Sequence, residues 1–145
     1  MKAIVTIILI ALAFAVGRHS NPQPVVKLVP YTPERQATFD DLLDAIEQVE
    51  SGGDANAVGD DGWAVGAYQI HKIYVRDTNR ILGYDKFTYE DRWDRDKSRE
   101  MTSIVIQHYG KGDIETMART HKCPTERYKD STLPYWEKVN AVLYD

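Results

Sequence analysis

Apolar residues recur at helical spacing between residues 38 and 50, and polar residues fill the positions between them. The apolar stripe consists of Phe39, Leu42, Leu43, Ile46 and Val49. Thr38, with Asp41 three residues later, is typical of the capping box that starts a helix. The pattern therefore predicts a helix that starts after Thr38, buries one face and ends near Glu50.

Three later stretches also have helical spacing. They cover about residues 67–82, 98–109 and 113–121. In the first of them, one face is expected to carry Ile70, Ile73, Tyr74, Asp77 and Ile81. Ser98 is the expected N-cap of the middle one, because its hydroxyl can accept a hydrogen bond from the first turn. Together with the first stripe, these stretches predict a mainly helical chain.

The stretch over residues 52–65 has no helical period and is rich in glycine, aspartate and asparagine. These residues favour turns, through positive φ angles or local side-chain hydrogen bonds. The pairs Gly59-Asp60 and Asp61-Gly62 predict a short hairpin within it. We therefore expect a Gly-rich loop or hairpin between the first two helices.

The N-terminus has the pattern of an export signal. Lys2 precedes an uncharged, mostly apolar run, and the small residues at 13–15 (A-F-A) fit a cleavage site. We expect residues 1–15 to be a signal peptide or an uncleaved N-terminal anchor. Four prolines and no helical period indicate a linker over 16–37, which leaves 38–145 as the folded domain. The expected location is secreted or periplasmic.

The composition limits the classes of partner that the chain is expected to bind. The net charge is −4, the pI is near 5.5, and no run of Lys or Arg is present. This balance does not favour nucleic-acid binding or a membrane-surface patch, so membrane contact is expected only through the N-terminal segment. Cys123 is the single cysteine, which excludes an intramolecular disulfide, and we expect it to be buried and unpaired. No metal-ligand spacing or cofactor motif is found, and we expect a monomer.

Glu50 occupies a position of chemical interest. It lies four residues after Ile46 and seven after Leu43, within the apolar stripe. Burial and the negative end of the helix dipole would both raise the pKa of its carboxyl group. A carboxyl that stays protonated near neutral pH can act as a general acid. The alternative is a glutamate at the edge of the stripe that turns to solvent or pairs with Lys or Arg.

Two short motifs flank the Gly-rich loop: Glu50-Ser51 before it and G-A-Y-Q-I, residues 66–70, after it. This arrangement resembles the lysozyme-like superfamily, in particular the bacterial lytic transglycosylase (SLT) domain, in which a helix ending in E-S is followed by a loop and G-L-M-Q-[IV]. The tyrosine in the second motif is similar to that of invertebrate-type lysozymes. Residues 118–139 resemble the end of SLT-like and phage lysins, although Lys122-Cys123-Pro124 replaces the N-G-G-P of that pattern.

The resemblance implies a small single domain with a lysozyme-like α+β fold, about five to six helices and a Gly-rich loop or hairpin beside the cleft. It implies an exported enzyme that cleaves the β-1,4 bond between N-acetylmuramic acid and N-acetylglucosamine in peptidoglycan, without a cofactor or metal. Glu50 would be the general acid and then the base, as in lytic transglycosylases. The residues expected to contact the glycan strand are Ser51, Tyr68, Gln69 and His121.

Other functions remain open at this point. A hydrolytic lysozyme would use Glu50 with a second carboxylate, and Asp60 is the candidate because Asp60-Asp61-Gly62 is similar to a D-x-G stretch of invertebrate-type lysozymes. A non-catalytic glycan-binding module on the same fold is a further alternative, suggested by the altered residues 122–124. A purely structural secreted protein would explain the stripes but not the placement of Glu50.

Overall fold

A computed structural model of the chain describes residues 36–145. The predicted signal peptide or anchor, and all but the last two residues of the predicted linker, lie outside the described residues. Within the described part, the helices are α1 (Phe39–Ser51), α2 (Lys72–Leu82), α3 (Arg95–Tyr109), α4 (Ile114–Lys122) and α5 (Leu133–Leu143). Three single-turn 3-10 helices lie between them, at Asp60–Gly62, Glu90–Trp93 and Asp130–Thr132. The predicted mainly helical class is confirmed.

The predicted hairpin is present between α1 and α2. It consists of β1 (Val58–Gly59) and β2 (Ala64–Val65), which pair antiparallel with Val58 opposite Val65. Asp60 and Asp61 form the turn with φ angles of 47° and 52°. Both angles lie in the left-handed region, which Asp tolerates better than most residues.

α1 forms where the apolar stripe and the capping box place it. Thr38 Oγ1 accepts a hydrogen bond from the Asp41 amide at 3.2 Å, and the Thr38 amide donates to the Asp41 carboxylate at 2.8 Å. The helix ends at Gly52, whose φ of 65° is the left-handed conformation of a helix C-cap. The predicted start of this helix is confirmed, and its end is within one residue of the prediction.

The core lies where α1, α3, α4 and α5 meet, and α2 packs against α3. Its buried apolar residues include Leu42, Leu43, Ile46, Ile70, Met101, Ile106, Ala118 and Val139. The α1 stripe supplies the largest continuous share of this core. Because α4 and α5 pack on α1, residues near the end of the chain are placed beside the C-terminal end of α1.

The second helix begins later than the sequence pattern predicts. Gly66 and Gln69 have φ angles of 78° and 48°, which a right-handed helix cannot accommodate. The Ile70 amide donates to the Val65 carbonyl at 3.0 Å, so residues 66–70 turn back onto β2. Ile73, expected on the buried face of this helix, is 59% exposed. The side of α2 that faces the core is instead the side that carries Val75.

The third helix begins earlier than predicted. Asp94 is its N-cap and accepts a hydrogen bond from the Lys97 amide at 3.0 Å. Ser98, the expected cap, is buried inside the first turn, where its hydroxyl donates to the Arg92 carbonyl at 2.8 Å. The aspartate four residues upstream was the better cap because a carboxylate is a stronger acceptor at the positive end of a helix.

A buried arginine ties the hairpin to the segment before α3. Arg92 is 6% exposed, and its guanidinium donates to the Tyr89 carbonyl at 2.7 Å and the Ile70 carbonyl at 3.2 Å. The backbone of Arg92 also passes close to Gly66, where a β-carbon would lie 2.0 Å from the Arg92 carbonyl oxygen. Glycine is therefore required at position 66 for both its φ angle and the lack of a side chain.

Among residues 36–145, no helix combines the length and the apolar character needed to cross a membrane.

We expect Gly66→Ala to destabilise the fold by about 2–5 kcal/mol. The estimate adds about 1–2 kcal/mol for a left-handed alanine to about 1–3 kcal/mol for the clash with Arg92. Gly62→Ala is the matched control, because Gly62 also has a positive φ, of 91°, but nothing lies within 4 Å of the added carbon. It should cost about 1–2 kcal/mol. Urea unfolding of both variants measures the difference, and equal losses would contradict the proposed close approach.

Candidate functional site

Glu50 lies in the last turn of α1, beside the last turn of α4. Its side chain is 15% exposed, and Oε1 lies 3.5 Å from Nε2 of His121, whose side chain is 5% exposed. The two residues are far apart in sequence and meet because α4 packs on α1. The alternative that Glu50 turns to solvent or pairs with Lys or Arg is therefore wrong, since its side chain is largely buried and its partner is a histidine.

Aromatic side chains from two more helices surround the His121 ring. The Tyr74 hydroxyl of α2 lies 3.2 Å from Nδ1, and the two rings meet edge to face with centroids 5.6 Å apart. The Tyr135 ring of α5 lies 6.3 Å away, and the Lys122 ammonium lies over it at 5.8 Å. Four helices therefore each contribute a polar side chain to one cluster around Glu50.

The pKa of Glu50 corrects the expectation drawn from its place in the stripe. Burial acts to raise the pKa of this carboxyl, as expected, but the hydrogen bond and charge of His121 oppose it. The Tyr135 hydroxyl and the charge of Lys122 act in the same direction as His121. The net result is a pKa below the usual range for glutamate, so the carboxyl is ionised near neutral pH.

The two tyrosines of the cluster remain protonated phenols. Burial is the main cause that raises the pKa of Tyr74, and the charge of Glu50 adds to it. The pKa of Tyr135 is raised by burial and then by Glu50. The Tyr135 hydroxyl faces the Glu50 carboxyl, but the two groups are not aligned for a hydrogen bond. Both hydroxyls can therefore act as neutral donors beside the carboxylate.

Ser51 and Gln69 connect the two sequence motifs. Ser51 Oγ donates to the Ala67 carbonyl at 2.8 Å and accepts from the Gly53 amide at 3.1 Å. Gln69 Nε2 donates to the carbonyls of Ala57 at 3.2 Å and Gly66 at 3.0 Å. Ser51 therefore holds the second motif against the end of α1, and Gln69 ties that motif to the Gly-rich loop. The contact of both side chains with a glycan stays a prediction.

Tyr68 requires a correction. Its side chain is fully buried, so it has no exposed surface with which to contact a glycan. The hydroxyl lies 3.4 Å from Glu47 Oε2 and accepts from Arg99 at 3.1 Å. Burial is the main cause that raises the pKa of Tyr68 to about 12. Position 68 faces inward because Gly66 and Gln69 turn residues 66–70 toward the core.

Glu47 is a buried carboxylate that the sequence analysis missed. It is 3% exposed and forms two hydrogen bonds with Arg95 of α3, at 2.6 and 3.0 Å. The available signal was its position four residues after Leu43, the same argument that singled out Glu50. Arg95 is itself largely exposed, so this pair lies at the surface of the packed helices.

Asp60, the candidate second carboxylate, lies on the exposed turn of the hairpin. Its Oδ2 lies 3.0 Å from His71 Nε2, and its side chain is 70% exposed. The structure therefore provides it with a partner in the N-cap residue of α2. Its catalytic role stays a prediction.

Cys123 is unpaired but only partly buried, so the expected burial is wrong. It lies just beyond the end of α4 in an extended conformation, with Sγ 3.7 Å from Thr125 Oγ1. Within residues 36–145, no group of three or more His, Cys, Asp or Glu side chains is arranged to hold a metal ion.

A groove of about 800 Å³ lies along α2 and the segment that follows it, lined by residues such as Arg76, Arg80, Tyr84 and Tyr89. None of Glu50, Gln69 and His121 lines this groove. The carboxylate cluster is therefore separate from it.

The sequence matches no protein-family model, and none of the curated proteins compared with it matches at a significant level. The likeness to the SLT domain consequently rests on the motifs themselves.

The lowered pKa of Glu50 predicts how stability depends on pH. A group whose folded-state pKa is depressed stabilises the fold above its unfolded pKa, about 4.3 for glutamate. This contribution is lost as the pH falls through the folded-state value. We expect the wild type to exceed Glu50→Gln in free energy of unfolding by more at pH 6 than at pH 3. Urea unfolding at both pH values measures this, and a difference that grows in acid would show that burial outweighs the His121 interaction.

Proposed function

We propose that the chain is an exported peptidoglycan glycosidase of the lytic transglycosylase type. Its substrate is the β-1,4 bond between N-acetylmuramic acid and N-acetylglucosamine. The observation that carries the proposal is the Glu50 carboxylate, largely withdrawn from solvent and surrounded by His121, Tyr74 and Tyr135. Perturbed carboxyl groups with specific charge partners are concentrated at active sites.

Position and motif point to the same residue. Glu50 is the glutamate of the E-S motif, and Ser51 links it through a hydrogen bond to Ala67 of the second motif. The hairpin that fills the space between them resembles the loop of the SLT pattern in placement. This agreement between motif and geometry supports Glu50 over Glu47, whose carboxylate is already occupied by Arg95.

Glu50 takes part in two proton transfers, first as an acid and then as a base. Glu50 in its protonated form gives a proton to the glycosidic oxygen as the bond breaks. The resulting carboxylate then removes the proton from the 6-hydroxyl of the N-acetylmuramic acid. The 6-oxygen attacks the anomeric carbon of that sugar and closes a 1,6-anhydro ring. The ionised resting form suits the second step directly. The first step requires that a proton reach Glu50 beforehand.

The surroundings of Asp60 favour the transglycosylase type over a hydrolytic lysozyme. A second carboxylate that assists hydrolysis must face the reacting sugar, either as a nucleophile or as the base for water. Asp60 is instead exposed and paired with His71. Chemistry assisted by the substrate's own hydroxyl needs no second acidic residue.

We expect Glu50→Gln to reduce the release of soluble fragments from purified peptidoglycan by roughly 100- to 10,000-fold, the range of general acid–base catalysis. Glutamine keeps the shape of glutamate but cannot deliver the proton. Glu47→Gln is the matched control, since it makes the same change one turn earlier on α1. It should keep most of the wild-type rate, measured at a temperature at which circular dichroism shows it folded.

Wild-type turnover by Glu50→Gln would remove the basis for the proposal. A folded Glu50→Gln protein that still sediments with insoluble peptidoglycan, in a chain whose wild type cleaves nothing, would favour the glycan-binding module instead.

Asp60→Asn tests the hydrolytic alternative. We expect it to keep peptidoglycan cleavage within about fivefold of wild type, because an exposed surface pair of this kind contributes about 1 kcal/mol or less. A loss comparable to that of Glu50→Gln would instead assign Asp60 a catalytic role. The same rate assay on both variants decides between the two outcomes.

A further inference from the structure

Both ring nitrogens of His121 have partners inside the protein. Nε2 faces Glu50 at 3.5 Å, and Nδ1 lies 3.2 Å from the Tyr74 hydroxyl. The side chain is 5% exposed. No ring nitrogen is left to bind a glycan, which was the role expected from the sequence. This geometry indicates that His121 acts on Glu50 and not on the substrate.

We infer that His121 is a positioning residue that holds the proton used by Glu50, with Tyr74 fixing the ring so that Nε2 faces the carboxylate. The inference rests on the proposed glycosidase function and deepens it. It supplies the proton that an ionised Glu50 lacks at the start of the reaction.

The proton balance closes over one turnover. The proposed transfer starts from Glu50 as a carboxylate and from His121 with a proton on Nε2. Movement of that proton to Oε1 leaves a neutral ring and a carboxylic acid, which protonates the glycosidic oxygen. Glu50 then takes the proton of the attacking 6-hydroxyl and returns it to Nε2. No proton is gained or lost by the pair over the turnover.

Tyr74 suits both protonation states of the ring. Its hydroxyl oxygen accepts from Nδ1–H when the ring is an imidazolium. When the Nε2 proton has moved to Glu50, the neutral ring keeps its remaining proton on Nδ1, and the same hydroxyl oxygen still accepts it. Burial, the main cause that raises the pKa of Tyr74, keeps the phenol protonated, so its oxygen stays a neutral acceptor in both states. The ring therefore stays oriented while the proton moves.

The other groups that face the pair favour the ionised form of Glu50. Tyr135 from α5 lies against both partners, and Lys122 from α4 brings a positive charge that lowers the pKa of Glu50. From α2, Asp77 acts on Tyr74 and not directly on the pair. Loss of the imidazole would leave burial as the main influence on Glu50.

The direct test is a ¹³C NMR titration of the Glu50 carboxyl in the full chain, with its resonance assigned by difference from Glu50→Gln. We expect the midpoint to lie below the usual glutamate range in the wild type and to rise above it in His121→Gln. This variant keeps a donor near the Nε2 position without the charge. His108→Gln is the matched control, because His108 is exposed at the end of α3 beside Tyr109. A midpoint that His121→Gln leaves unchanged would overturn the inference.

Steady-state cleavage of soluble peptidoglycan strands supplies the second readout. His121→Gln should lower kcat by about 100-fold with KM within about twofold, because proton supply is lost and no glycan contact is removed. Tyr74→Phe should lower kcat by up to roughly tenfold, the value of one hydrogen bond. A raised KM with unchanged kcat would restore the glycan-contact role and overturn the inference.

The NMR titration and the cleavage assay together distinguish the inference about His121 from the proposed glycosidase function. A wild type that cleaves no peptidoglycan, yet shows the His121-dependent shift of the Glu50 midpoint, would remove the glycosidase function and retain the pair. A wild type that cleaves peptidoglycan without that shift would retain the function and remove the pair.

If His121→Gln does not fold by circular dichroism, Tyr74→Phe is used for both measurements. An unchanged Glu50 midpoint and an unchanged kcat in Tyr74→Phe would count against the inference.

Discussion

α1 carries two carboxylates that are largely withdrawn from water, and each has a partner side chain from another helix. Arg95 of α3 pairs with Glu47, and His121 of α4 pairs with Glu50. Removing one partner from a buried pair costs roughly 3–5 kcal/mol. The pair at Glu47 lies at a partly exposed edge, so its cost is smaller. This constraint helps to fix how α3 and α4 pack on α1, and it places Glu50 within a polar cluster.

The hairpin is held to the same end of α1 by different means. Ser51 binds the Ala67 carbonyl, and the glycine at position 66 lets the chain pass against the backbone of Arg92. The buried guanidinium of Arg92 donates a further hydrogen bond to the Ile70 carbonyl at the end of the turn of residues 66–70. The two motifs are thus adjacent in space because of backbone contacts, while Glu50 reaches its chemical partners through α4.

Local signals in the sequence predicted much of the fold. The stripe and capping box at Thr38 predicted α1, and the Gly-Asp pairs predicted the hairpin. The start of α2 could not be predicted, because it depends on the left-handed conformation of Gln69, a tertiary effect in a residue with good helix propensity. The hydrophobic pattern alone therefore placed Ile73 on the wrong face.

The candidate site was only partly accessible from the sequence. Glu50 was found because a carboxylate within an apolar stripe is locally visible. The sign of its pKa shift was wrong, because that sign depends on His121, which no local pattern places beside it. Tyr74 and Tyr135 were not identified as site residues, since their convergence on His121 requires the packing of three helices.

The central claim is that Glu50 breaks the glycan bond with the substrate's own hydroxyl as the nucleophile. Mass spectrometry of the fragments that the wild-type protein releases from purified peptidoglycan tests it most directly. The account predicts muramic acid ends in the 1,6-anhydro form, one water lighter than the hydrolysed product. Fragments that carry only reducing muramic acid ends, or no release of glycan fragments at all, would contradict it.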